Sequence, residues 1–196
     1  MIDRRIFDLT DRIALVTGGS RGIGRAYAQA VAEFGAKVAI AARVQDKIDE
    51  TLDILSKYDV ETLGISADMT KEEDVQRMVD ETINKFGRID ILFNNAGIAR
   101  PRRPIHEEVI EDFDIIIRTN LRAPFLVLRA VLPVMIKQNK GLLTQSSHWV
   151  HQCLSVLSGV IPVYKYHSLN AGQRIHNVRH KGQTVAVFLR EFLQTL

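Results

Sequence analysis

Thr17-Gly18-Gly19-Ser20-Arg21-Gly22-Ile23-Gly24 decides the fold through what stands on either side of it. Before it, Ile13-Ala14-Leu15-Val16 is a continuous apolar run, the pattern of a strand buried on both faces. After it, residues 25–34 are rich in helix formers, and Gly35 stands where a helix would stop. Strand, glycine-rich turn and helix together predict a cradle for dinucleotide phosphates. Glycines let backbone approach a pyrophosphate, and a helix N-terminus offers N–H donors and partial positive charge. The flanking elements carry this reading more than the glycine spacing does.

Outward from the turn, the pattern repeats. Residues 37–42 form a second buried strand, and Val44, Ile48, Leu52 and Leu55 mark one face of a helix. Residues 62–67 form a third strand ending in Asp68-Met69-Thr70. Thr70-Lys-Glu-Glu73 reads as a capping box, opening a helix with Val75, Met78, Val79 and Ile83 on its buried stripe. Gly87 closes that helix, and residues 88–93 give a fourth strand running into Asn94-Asn95-Ala96-Gly97. Strands alternating with helices predict an α/β fold, a Rossmann-like doubly wound parallel sheet with right-handed crossovers. The segment Arg100-Pro-Arg-Arg-Pro104, with Arg100, Arg102 and Arg103, reads as a solvated loop, with contact to an anionic substrate as the alternative. A long helix is then expected from about residue 107 to 137, with apolar Phe113, Ile116, Ile117, Leu121, Phe125, Leu128 and Leu132.

The 196 residues suit one domain with a sizeable core. No apolar stretch approaches the roughly 18 residues of a membrane span, and the charged first residues lack the apolar core of a signal peptide. A single cysteine, Cys153, fits a reducing compartment, so the expected location is cytoplasmic. Charge is uneven. Residues 1–140 carry 21 Lys+Arg against 22 Asp+Glu, whereas residues 141–196 carry 5 against 1, with five of the six histidines. This divides the chain into residues 1–141, a dinucleotide-binding domain, and residues 142–196, a divergent segment. Such a change is what a shifted reading frame or an alternative exon would leave.

The chain resembles the short-chain dehydrogenase/reductase family over about residues 9–141. The matches are Thr17-Gly-x-x-x-Gly22-x-Gly24, Asp68-x-Thr70, Asn94-Asn-Ala-Gly97 and Asn120 within Asn120-Leu-Arg-Ala-Pro-Phe125. The resemblance implies that Gly18, Gly22 and Gly24 line the pyrophosphate, with Thr17, Ser20, Arg21 and Ile23 in the same turn. It implies that the Asp68 carboxylate and the Met69 backbone meet the adenine edge, and that Asn94 sits beside the adenosine ribose. Ala96 and Gly97 would let the chain pass close to the cofactor. An acid at the end of the second strand would favour NAD; here that strand ends Ala41-Ala42-Arg43. Arg43 and Arg21 are placed to flank a 2′-phosphate, so NADP is expected over NAD. Asn120 precedes Pro124 by four residues, and Pro124 has no N–H for the Asn120 carbonyl. Either the helix runs on and that carbonyl holds a water, as in the family's proton relay, or the helix breaks before Pro124.

The family's proton transfer needs a Ser, a Tyr and a Lys four residues after that Tyr. Residues four beyond Tyr27, Tyr58, Tyr164 and Tyr166 are Val31, Thr62, Ser168 and Asn170, so no Tyr-x-x-x-Lys is present. Ser147 and Tyr164 are the nearest candidates, with Asn120, but Ser147 follows Gly141 at one residue less than the family's spacing. Thr144 stands near the family's usual Asn. The family's later strands and helices are expected to be missing or replaced. His176 and His180 are spaced for one helix face, and His148, His151 and Cys153 form no recognised metal pattern. Five basic residues without aromatic interleaving make nucleic acid an unlikely partner. The expected function is nicotinamide-dependent hydride transfer with a small carbonyl or secondary alcohol, a sugar or polyol among the options, impaired in this chain. The alternative is an inactive NADP-binding or regulatory protein. A homo-oligomer is doubtful without the family's C-terminal helices.

Overall fold

The computed structural model describes residues 8–100, 103–145, 176–180 and 183–188. Five parallel strands form its centre: β1 (Ile13–Thr17), β2 (Lys37–Ala42), β3 (Thr62–Ser66), β4 (Ile91–Asn94) and β5 (Leu142–Gln145). Their spatial order is β3-β2-β1-β4-β5, so the winding reverses between β1 and β4. In open α/β sheets a ligand crevice lies at such a reversal, beyond the strands' carboxyl ends. The glycine-rich turn leaves β1 at that point. Beyond β5 the sheet continues with β7 (Gln183–Phe188) parallel to it and β6 (His176–His180) antiparallel to β7. The His176–His180 stretch is therefore a strand, not the helix its spacing suggested.

Each central strand feeds two cores, because successive side chains leave opposite faces. Ala14 and Val16 of β1, Val38 and Ile40 of β2, and Ile91 and Phe93 of β4 pack with Tyr27, Val31, Ile48 and Leu55. These last four come from α1 (Gly22–Glu33) and α2 (Gln45–Leu55). Leu15, Ala39, Ala41 and Leu92 face the other way, against Met78, Val127, Val131 and Met135. Those residues belong to α3 (Glu72–Phe86) and α5 (Ala123–Lys137). Burial on both faces explains why the strands read as unbroken apolar runs.

Two helix boundaries differ from expectation. The capping box at Thr70 does not form: α3 starts at Glu72 after Lys71, with no side-chain cap, and Thr70 Oγ1 donates to Asp68 Oδ1 at 2.9 Å. Asp68 competes successfully for that hydroxyl because an Asx turn already brings the Thr70 N–H to the same oxygen. The long helix starts at Ile110, after a short 3₁₀ turn at Ile105–Glu107. From α4 (Ile110–Ile117) it passes through a π-helical turn, Arg118–Arg122, into α5 without a break. The Ala123 N–H donates to the Arg118 carbonyl, five residues back.

Candidate dinucleotide-binding site

Thr17 joins the glycine-rich turn to the loop after β4. Its hydroxyl donates to the Phe93 carbonyl at 3.4 Å and accepts the N–H groups of Asn95 and Ala96, each at 3.0 Å. Asn95 Nδ2 returns a bond to the Thr17 carbonyl at 3.2 Å. The two loops thus leave β1 and β4 as one unit. Gly18 adopts φ +68° in this seam, and a Cβ there would lie 3.0 Å from Ala96 Cα. At Gly24 a Cβ would lie 2.1 Å from the Gly18 carbonyl oxygen, a contact that no side chain can accommodate. The absence of both side chains lets α1 start directly behind the turn.

The turn itself is open on its outer side. Gly22 has φ +54° and nothing within 4 Å of a Cβ position, and Arg21, Gly22 and Ile23 are exposed. No side chain caps α1, whose first turn holds no acid. By contrast α2, α3 and α4 all carry acidic residues in their first turns. An uncapped, acid-free helix start beneath a glycine turn is complementary to a phosphate group. The residues present fit a dinucleotide pyrophosphate on these grounds.

The remaining expected contacts ring this cradle. Ser20 is buried, and Arg21 and Arg43 are exposed without an ion pair among the described residues. The Asp68 carboxylate accepts the Thr70 N–H at 2.9 Å, while its own backbone N–H donates to Asp74 Oδ2 at 2.9 Å. That bond, with Arg77 beside it, holds the Asp74 carboxyl below the usual aspartate range. Met69 is buried, and Arg122 reaches the Thr70 carbonyl at 2.8 Å from the π-helical turn. Asn94 is 1% exposed, with Nδ2 donating to the Pro124 carbonyl at 3.0 Å.

Asn120 grips the far end of the β4 loop. Its Oδ1 accepts the Ile98 N–H and its Nδ2 donates to the Ile98 carbonyl, both at 2.8 Å. A Cβ on Gly97 would stand 3.2 Å from that Oδ1. The helix does not break before Pro124, which settles one of the two alternatives; the π-helical turn carries the chain past the missing donor. Arg100 and Arg103 both approach Asp112, at 3.4 and 3.5 Å. Ser147 and Tyr164 lie outside the described residues, as do His148, His151 and Cys153.

The sequence profile of the short chain dehydrogenase family matches residues 12–148. The chain belongs to this family. Among its relatives, an uncharacterized oxidoreductase, YxbG, of Bacillus subtilis (strain 168) is 34% identical over 139 residues. That match covers 71% of this chain and 51% of the relative. Levodione reductase of Leifsonia aquatica is 36% identical over 140 residues, covering 70% and 52%. The chain spans about half the length of the curated relatives it matches. Among solved structures, an NAD+-bound xylitol dehydrogenase superposes with a TM-score of 0.73 at 28% identity. It covers 79% of this chain and 66% of its own. A metagenomic short-chain oxidoreductase in complex with NADP gives 0.71 at 26% identity, covering 79% and 78%.

Three residues that shape the candidate site were not singled out by sequence reasoning. Asn95 was visible inside a motif, and its amide side chain beside Thr17 was the missing signal. Arg25 and Thr51 meet across α1 and α2, 26 positions apart, a pairing that helical periodicity does not show.

Proposed function

We propose that the chain binds a nicotinamide dinucleotide over the turn of residues 17–24, NADP in preference to NAD. The open, acid-free start of α1 above Gly22 is the observation that carries this reading. The solved neighbours that hold NAD+ and NADP support the cofactor class. The preference for NADP rests on two exposed cations, Arg21 in the glycine turn and Arg43 directly after β2, whose end holds no acid. The Asp68–Met69 segment would take the adenine, the Asn94–Gly97 loop the ribose side, and Ile23 the rim.

The reaction of this lineage would be hydride transfer between the nicotinamide and a small carbonyl or secondary alcohol, with sugars and polyols the first substrates to try. Levodione reductase and xylitol dehydrogenase among the relatives support that class. Asn120, Ser147 and Tyr164 are the residues proposed for the chemistry. Without Tyr-x-x-x-Lys, turnover should be impaired by about 10²–10⁴-fold, the usual contribution of a placed acid–base group. Binding without turnover is the second reading, favoured by the same missing motif. Residues 142–196 are read as a divergent segment attached to the cofactor domain, and limited proteolysis yielding a stable fragment that ends near residue 140 would support this.

Fluorescence titration of the full chain with NADPH and NADH, beside assays on a panel of polyols and ketones, tests the proposal. Tighter NADPH binding is expected, and Arg43→Glu should weaken NADPH by about tenfold more than NADH. Tighter NADH binding by the unmodified chain removes the NADP reading. Failure to bind either removes the site. Binding with no turnover on the panel selects the second reading.

A further inference from the structure

We propose that Arg25 and Thr51 position the glycine-rich turn for its ligand by holding the Ser20 carbonyl from behind. Arg25 lies in the first turn of α1, and its side chain runs back beneath the residues that precede it. One guanidinium nitrogen donates to the Ser20 carbonyl at 2.7 Å, and Nε donates to Thr51 Oγ1 at 3.0 Å. Thr51 Oγ1 is itself 3.1 Å from the same Ser20 oxygen and 3.0 Å from the Lys47 carbonyl. Its single hydroxyl proton serves one of these carbonyls, and its lone pairs receive Arg25. Glu50 lies 3.5 Å from the guanidinium and orients it further.

Burial makes this cluster rigid. Thr51 is 0% exposed and Ser20 7%, and the Arg25 side chain is 25% exposed. The consequence for the turn follows from peptide geometry. No cis peptide bond occurs among the described residues, so the C=O of Ser20 and the N–H of Arg21 point in opposite directions across one rigid plane. Drawing the Ser20 oxygen towards α2 therefore presents the Arg21 N–H to the opposite side, where Gly22 leaves open space. Arg21 itself is extended, with φ −164° and ψ 169°, immediately before the helix. A preset N–H need not be reoriented when an anion arrives, which raises affinity by lowering the ordering required on binding.

Arg25 and Thr51 are thus positioning residues, acting through Ser20. The inference rests on the dinucleotide reading of this turn. Its signature is a loss of affinity that ignores the 2′-phosphate, because the pyrophosphate is common to NADP and NAD.

The test is titration of the full chain and its variants with NADPH and with NADH, alongside thermal midpoints. Arg25→Lys keeps the charge but loses the guanidinium fork, and should weaken both dinucleotides equally, by about tenfold. Thr51→Val should weaken both, and Thr51→Ser, which keeps the hydroxyl, should restore binding. Unchanged binding by R25K overturns the proposal, as does weakening of NADPH alone, which would make Arg25 a 2′-phosphate contact. A fall in midpoint with no change in affinity also overturns it, since the cluster would then be structural only. If R25K does not fold, the contrast between T51V and T51S decides. An unmodified chain that binds neither dinucleotide overturns the site and this role with it, whereas binding untouched by these variants overturns this role alone.

Discussion

Gly24 is the residue on which the cradle depends most directly. Its Cβ position overlaps the Gly18 carbonyl oxygen at 2.1 Å, backbone against backbone, so the turn and the helix start would have to separate. Gly24→Ala should therefore reduce dinucleotide affinity by at least about tenfold while far-ultraviolet circular dichroism stays close to that of the parent chain. Equal affinities would show that the close approach is not needed. Asn120 acts by a different route at the same scale. Removing its amide deprives the Ile98 N–H and C=O of both partners, and Asn120→Ala should destabilise the chain by about 1–3 kcal/mol. Hydrogen exchange at the Ile98 amide is the direct measurement, with faster exchange expected in the variant.

At the scale of elements, the start of α3 is tied to the Asp68–Thr70 loop by Asp74 in place of the expected capping box. The Asp68 N–H is the main cause of the lowered Asp74 pKa, followed by Arg77. A carboxylate whose folded pKa is depressed contributes stability above its unfolded pKa and loses it as pH falls through the folded value. The unfolded value is near 3.9, so the Asp74 contribution should be complete above about pH 5 and decline below about pH 4. Thermal midpoints taken from pH 6 down to pH 2.5 should fall more steeply for the parent chain than for Asp74→Asn. Parallel curves would show that Asp74 does not carry this link. The π-helical turn is the second element-scale device. It presents Asn120 to the β4 loop and Arg122 to Thr70, so one irregular turn touches both loops that flank the cradle.

The whole molecule is pinned at the end of the sheet opposite the site. Asp90 is 3% exposed, and its Oδ2 accepts the Ile13 N–H at 3.0 Å, with Arg88 bonded to its other oxygen and Arg12 at 3.8 Å. Its backbone also pairs with Ile13 and Leu142, so β1, the entry to β4 and β5 meet at one residue. Removing this carboxylate leaves the Ile13 N–H and two arginines without their common partner. Asp90→Ala should destabilise the chain by about 3–5 kcal/mol, measured by urea unfolding, while dinucleotide affinity at saturating stability is little changed. On another face, Ile110, Phe113 and Ile117 of α4 and Phe125 of α5 remain substantially exposed. No helix among the described residues is long and apolar enough to cross a membrane.

Much of this architecture could be anticipated from local signals. The two-sided apolar runs at residues 13–17 and 37–42 name their own strands, because burial on both faces leaves no polar position to alternate. The glycines at 18, 22 and 24 announce a turn from within one short stretch: Gly18 and Gly22 take positive φ, and Gly24 stands against the Gly18 carbonyl six residues back. What the chain could not reveal locally were the pairings between distant positions: Arg25 with Thr51, Asn120 with Ile98, Asp90 with Ile13. Each joins groups brought together only when the helices close over the sheet, and a hydrogen bond across 22 to 77 residues leaves no periodicity behind it. The capping box failed for a local reason instead: the Thr70 hydroxyl had two competing partners, and Asp68, two residues back, took it. Sequence by itself determined the first four strands, the glycine turn and the lineage; tertiary structure decided which side chains hold that turn in place, because only the folded sheet sets their distances.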